Sequence, residues 1–172
     1  MSSDKRKIII GFSKPKNNYF PIFSWLIRLF EKTPYSHVYL RWYSKGANVE
    51  VAYHSAGTMV HFLSKRIFDM RVQPVEEYEV EVSKDTYRHL IRFCMENAGT
   101  GYGILQVFGM AAQRLFGFKK NPLGDGTDTQ ICNELVGHMV KEVIGIPVNL
   151  DLDSAGPRDI NNLVTEHFKR IL

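Results

Sequence analysis

The hydrophobic period of this chain changes partway along, and that change narrows the fold more than any other feature. Up to about residue 82 the apolar residues alternate or are β-branched, whereas beyond Ser83 they recur every three to four positions. The alternation predicts strands over residues 7–13, 35–43, 49–55, 59–63 and 78–82. One early helix is predicted over 20–31, with Pro21 in its first turn, where a missing N–H costs least. In the second half, Ser83 caps a helix with Tyr87, Leu90, Ile91 and Cys94 on one side, and Gly99 ends it. A second helix over 102–116 is apolar almost all round, and a third follows the polar loop 121–128. The last begins near Pro157 and carries Ile160, Leu163, Val164, Phe168 and Ile171 on one side. Strands gathered first and helices second predict an α+β fold, an antiparallel sheet packed against helices.

No repeat, linker or shift in composition divides the chain, so residues 1–172 are read as one domain. The hydrophobic share of 44% is enough for a core at this size. A net charge of +4 is too mild to imply nucleic acid, and no stripe interleaving aromatic and basic residues supports that partner. After the basic N-terminus only Ile8 to Ile10 form an apolar run, too short for a secretory leader. The densest apolar stretch, Phe20 to Phe30, includes Ser24 and Arg28 and is about half of what crosses a bilayer. With only Cys94 and Cys132 there is no disulfide framework, and the expected setting is the reducing cytoplasm.

Chemistry enters at the hairpin of the second and third strands. A turn around Lys45 and Gly46, or around Ser44 to Ala47, sets Tyr43 opposite Asn48. Leu40 then meets Val51, Trp42 meets Val49, Arg41 meets Glu50, and His37 stands directly opposite His54. Two readings follow: a pair of solvated imidazoles, or a functional pair. No third ligand at a recognisable spacing makes them a zinc site, and Asp125 and Asp128 lack a calcium-loop pattern, so no metal or cofactor is expected.

The two thiols differ in position. Cys94 lies on the apolar stripe of its helix, as a core residue does. Cys132 falls in the first turn of a helix that Thr127, Asp128 or Thr129 can cap, where the positive end of the dipole favours a thiolate. Cys132 also shares a stripe with Val136, Met139 and Val143, so the core reading stands beside the nucleophilic one.

At these residues the sequence resembles a family. Tyr35-Ser36-His37-Val38, then Ala52-Tyr53-His54-Ser55, then Ile131-Cys132-Asn133-Glu134-Leu135-Val136 opening a helix, and finally Gly156-Pro157-Arg158-Asp159-Ile160 follow one another in this order. This order resembles the circularly permuted NlpC-type cysteine hydrolases of the papain-like superfamily, over residues 7–165. The resemblance implies a papain-like fold with Cys132 as nucleophile, His37 as general base and His54 in the place of the polar residue that orients the base. Many bacterial members have an acid there, whereas a second histidine is similar to the lecithin–retinol acyltransferase branch. It further implies an acyl-enzyme formed on an amide or ester carbonyl, with the backbone N–H of Cys132 as one oxyanion donor. Gln130 and Asn133 flank the nucleophile as further donors or as exposed polar residues, and Glu134 fits the helix dipole.

The substrate implied is a peptide or other acyl compound. Peptidase or amidase action, on cell-wall peptides for instance, leads; lipid ester or thioester chemistry is the alternative; a binding module on the same fold is the rival without catalysis. One feature bears on the choice. The 20–31 helix has a narrow polar stripe of Ser24, Arg28 and Glu31, and its apolar remainder is either buried or an exposed rim for an acyl chain or membrane surface. Lys5, Arg6, Lys7, Lys14 and Lys16 lie near it in sequence, and the 102–116 helix invites the same two readings.

Overall fold

A computed structural model describes residues 5–16, 21–56, 59–118, 120–123, 129–130 and 132–172. In chain order these form β1 (Arg6–Pro15), α1 (Pro21–Glu31), β2 (His37–Ser44), β3 (Val49–Ala56), β4 (Met59–Ser64), α2 (Lys65–Arg71), β5 (Val72–Val82), α3 (Lys84–Asn97) and β6 (Gly101–Tyr102). Then come α4 (Ile104–Phe116), β7 (Thr129–Gln130), α5 (Cys132–His138), a π-helical segment Met139–Ile144, a 3-10 turn Leu152–Ser154, α6 (Pro157–His167) and β8 (Lys169–Arg170). The fold is α+β. The strands make one sheet in the order β7-β6-β4-β3-β2-β1-β5-β8, antiparallel except at the short β6–β7 pair.

Alternation along the strands gives the sheet two different faces. Ile8, Ile10, Phe12, Val38, Leu40 and Trp42 point into the main core, where Leu90 and Cys94 of α3, Leu135 and Val136 of α5 and Ile160 and Val164 of α6 meet them. Cys94 is therefore a core residue. The opposite face carries Tyr39 and Ala52 under Phe68 of α2. On that face Glu77 is buried, accepting two hydrogen bonds from Arg41 Nη2 at 2.8 and 2.7 Å and one from the Tyr39 hydroxyl at 2.6 Å. This network ties β2 to β5 across β1.

The hairpin register differs from expectation. Ser44, not Tyr43, closes the turn opposite Val49, so Leu40 meets Tyr53, Arg41 meets Ala52 and Trp42 meets Val51. Asn48 takes a positive φ of 52° at the turn's end, a conformation asparagine tolerates, and its carboxamide accepts from the Tyr43 hydroxyl. A slip of two positions keeps every side chain on its intended face, where a slip of one would have inverted the strand. Arg41 thus still reaches Glu50 at 3.4 Å, now along a diagonal.

Three further differences have local causes. α2 was not expected; it is a single short helix between β4 and β5, fastened through Phe68. β5 begins at Val72 rather than Tyr78, Pro74 being accommodated opposite Ser13 where a bulge interrupts the β1–β5 pairing. α6 ends at His167, so Phe168 still packs on the core while Ile171 passes to the exposed edge beside β8.

Candidate functional site

His37 is the first residue of β2 and His54 lies near the end of β3. By the observed register His37 is diagonal to His54 rather than opposite it, on the same face, and the rings meet: His37 Nε2 and His54 Nδ1 are 2.9 Å apart, with centroids at 5.1 Å. His54 is 5% exposed and its edge-to-face neighbour Phe68 sits at 5.1 Å, so the ring is held on both sides. Burial lowers the pKa of His37 to about 4, with the nearby charge of His61 acting in the same direction. His54 is lowered well below its ordinary value, again by burial first and then by His37, His61 and Arg71. Both imidazoles are neutral at ordinary pH.

A third imidazole belongs to this cluster. His61 pairs directly with His54 across β3 and β4, with ring centroids 4.5 Å apart. Its Nδ1 lies 3.1 Å from the Met59 carbonyl, which only accepts, so that nitrogen carries the proton. The strand spacing held the signal for it: two residues separate β3 from β4 in sequence, Ala56 pairs with Met59, and counting back from that pair sets His61 against His54.

Cys132 opens α5, and α5 rests on β2 and β3. Its thiol is buried and directs its hydrogen to Asn133 Oδ1 at 3.4 Å. The backbone N–H groups of Val38, Asn133 and Cys132 face the sulfur and favour the thiolate, but burial outweighs them and pushes the pKa up to about 11. The expected lowering at a helix start is thus overridden by desolvation. The Val38 amide that faces the sulfur belongs to the residue that follows His37.

The residues around Cys132 are less exposed than their polarity predicted. Asn133 is buried, its Nδ2 donating to the Ala155 carbonyl, which fixes the start of α5 against the approach to α6. Glu134 is also buried. The side chain of Gln130 lies outside the described residues, as do Thr127, Asp128 and Asp125, and the capping and loop expectations placed there lie outside them too. At α6, Pro157 occupies the first turn and Asp159 accepts from the Gly156 N–H at 2.9 Å.

Of the two readings of α1, the exposed apolar rim is the one seen at Ile22, Trp25 and Leu29. Ser24 is buried and shares a 2.7 Å hydrogen bond with Ser36, immediately before His37. Glu31 is buried too, its carboxylate lying against Gly156 at the N-terminus of α6, where the helix dipole favours an anion. The polar stripe is what docks the helix, leaving Ile22, Trp25 and Leu29 outside at 69%, 54% and 52% exposure.

Among the described residues, no group of three or more His, Cys, Asp or Glu side chains could hold a metal ion. No helix among them is long and apolar enough to cross a membrane.

Comparison with known proteins finds a relative in structure alone. No family model matches the chain, and no curated protein does. A solved structure, metalloprotein yiiX from Escherichia coli O157:H7 (DUF1105), superposes with a TM-score of 0.56 at 14% identity, covering 97% of this chain and 87% of that one. At that identity the likeness is one of fold.

Proposed function

We propose that this chain is a papain-like cysteine hydrolase of the permuted NlpC type, working through an acyl-enzyme on Cys132. The observation that carries the reading is the seating of the Cys132 sulfur on the amide of Val38, the residue that follows His37, whose ring Nε2 is held 2.9 Å from His54 Nδ1. With Nε2 engaged, proton exchange with the thiol falls to His37 Nδ1. That requires the tautomer in which His37 Nε2–H donates to His54 Nδ1, and it places the proton of His54 on Nε2. The opposite tautomer would present an N–H to the thiol and could not accept its proton.

Because the resting thiol and imidazole are both neutral, the sulfur becomes nucleophilic only as it reacts. His37 Nδ1 takes the thiol proton while sulfur attacks the carbonyl carbon. The imidazolium returns that proton to the departing amine or alcohol, leaving a thioester on Cys132, and water activated by the same nitrogen then releases the acid. The backbone N–H of Cys132 is one donor for the oxyanion. The Asn133 amide is committed to Ala155 and supplies none.

Peptide amides lead as substrates. Lipid esters or thioesters form the second reading, favoured by the apolar residues that α1 exposes next to the segment entering His37. The structural neighbour is described as a metalloprotein, but the donors here do not fit a metal: His37 Nε2 and His54 Nδ1 face one another in a mutual bond, and His61 Nδ1 is bound to the Met59 carbonyl. No step is routed through one.

The test is incubation with acyl-peptides, cell-wall peptide fragments and phospholipids, read by mass spectrometry. An acyl adduct on Cys132 that turns over identifies the substrate class. Absence of any adduct, with Cys132 no more reactive than Cys94, leaves a binding module on this fold.

A further inference from the structure

α1 is amphipathic in reverse: Ser24 and Glu31 face the protein while Ile22, Trp25 and Leu29, one stripe at helical spacing, face outward. α4 touches α1 and carries a second outward stripe, with Phe108 at 46%, Leu115 at 60% and Phe116 at 73% exposure. Exposed apolar side chains scattered singly need no explanation, but two neighbouring helices presenting stripes outward mark an interaction surface. The charge around them selects the partner. From Lys5 through Asn48 the only Asp or Glu is the buried Glu31, and from Asn97 through Leu123 there is none. Each helix instead exits into an exposed cation, Lys32 after α1 and Lys120 after α4.

We propose that the α1–α4 face docks on an anionic lipid bilayer, both helices lying in the interface with Trp25 and Phe116 inserted at the headgroup level. Aromatic residues favour that depth, and lysines at the helix ends favour an anionic leaflet. A second copy of the chain fits less well, because a two-fold contact brings the same patch to itself and sets lysine against lysine. This inference stands apart from the acyl-enzyme reading, since docking needs neither Cys132 nor His37.

Trp25 and Trp42 are the two tryptophans, and Trp42 is buried in the core, so quenching by brominated lipid reports on Trp25. Vesicles of phosphatidylcholine and phosphatidylglycerol with brominated chains are titrated into the full chain. The expected result is saturable quenching that Trp25→Phe removes, that salt weakens, and that Leu29→Glu and Phe116→Glu each reduce at least tenfold in vesicle affinity. Two positions on different helices guard against one variant misfolding, and native tryptophan spectra identify the folded ones. Cys132→Ala is expected to bind vesicles as the parent does, so a failure of docking and a failure of catalysis are read separately. Absence of vesicle binding overturns the inference, as does binding that survives both glutamates. A concentration-dependent dimer that Leu29→Glu dissolves, without vesicle binding, assigns the face to a second copy instead.

Discussion

Acidification should destabilise this protein through His37, by an amount the structure sets. The unfolded imidazole titrates at its ordinary 6.5, while burial lowers the folded value to about 4. Between those values the unfolded chain binds the proton and the folded chain does not, so stability falls as pH drops below 6.5 and the loss levels off near 4. Evaluated at pH 4.5 against pH 7, the difference is about 2 kcal/mol for this one ring. At a typical urea dependence of about 1–3 kcal/mol per molar, that shifts the unfolding midpoint by about 1 M. His54 is lowered in the same direction and adds to the loss. The assay is urea unfolding at both pH values, followed by the fluorescence of the buried Trp42, for the parent and for His37→Gln. The parent should lose about 2 kcal/mol more than the variant on acidification. Parallel losses in the two proteins would refute the burial of a neutral imidazole at the end of β2.

Two other substitutions test the frame of the site and one tests its chemistry. Glu77→Ala leaves the buried Arg41 guanidinium without its main partner and should cost about 3–5 kcal/mol in denaturant unfolding. Gly156→Ala would put a Cβ 2.4 Å from the Glu31 carboxylate and should cost about 1–3 kcal/mol, because the carboxylate and with it α1 must shift. His54→Ala should slow acylation of Cys132 less than His37→Ala does, and in the parent protein nitrogen-15 NMR should find the His37 proton on Nε2; a proton on Nδ1 would contradict the assigned base.

The pairing of His37 with His54 was legible because two unlike constraints agreed. Strand alternation put both residues on one face, and a short turn kept them near one another. The turn itself lies one position further on, which slips the register by two, an error that parity forgives. His61 was equally legible from the two residues that separate β3 from β4 in sequence. The orientation of α1 stands between two readings in the sequence, because periodicity alone does not say what the polar stripe meets; Ser24 and Glu31 meet Ser36 and the start of α6, which leaves the apolar rim outside. The ionisation of Cys132 was misjudged for a related reason. The helix start and its N–H groups are local and visible in sequence, but the desolvation that outweighs them comes from strands and helices distant along the chain. Asn133 escaped the exposed reading for the same reason: packing against the approach to α6 buried it.

The measurement that bears most directly on the central claim is acylation by a soluble activated ester, 4-nitrophenyl butyrate, followed by peptide mapping of the parent and of His37→Ala. With His37 as the base for Cys132, the butyryl group should be found on Cys132 and not on the core residue Cys94, and His37→Ala should slow its formation by about 100-fold or more. A butyryl group shared equally between the two cysteines, or one that forms on Cys132 at the same rate without His37, would contradict the account.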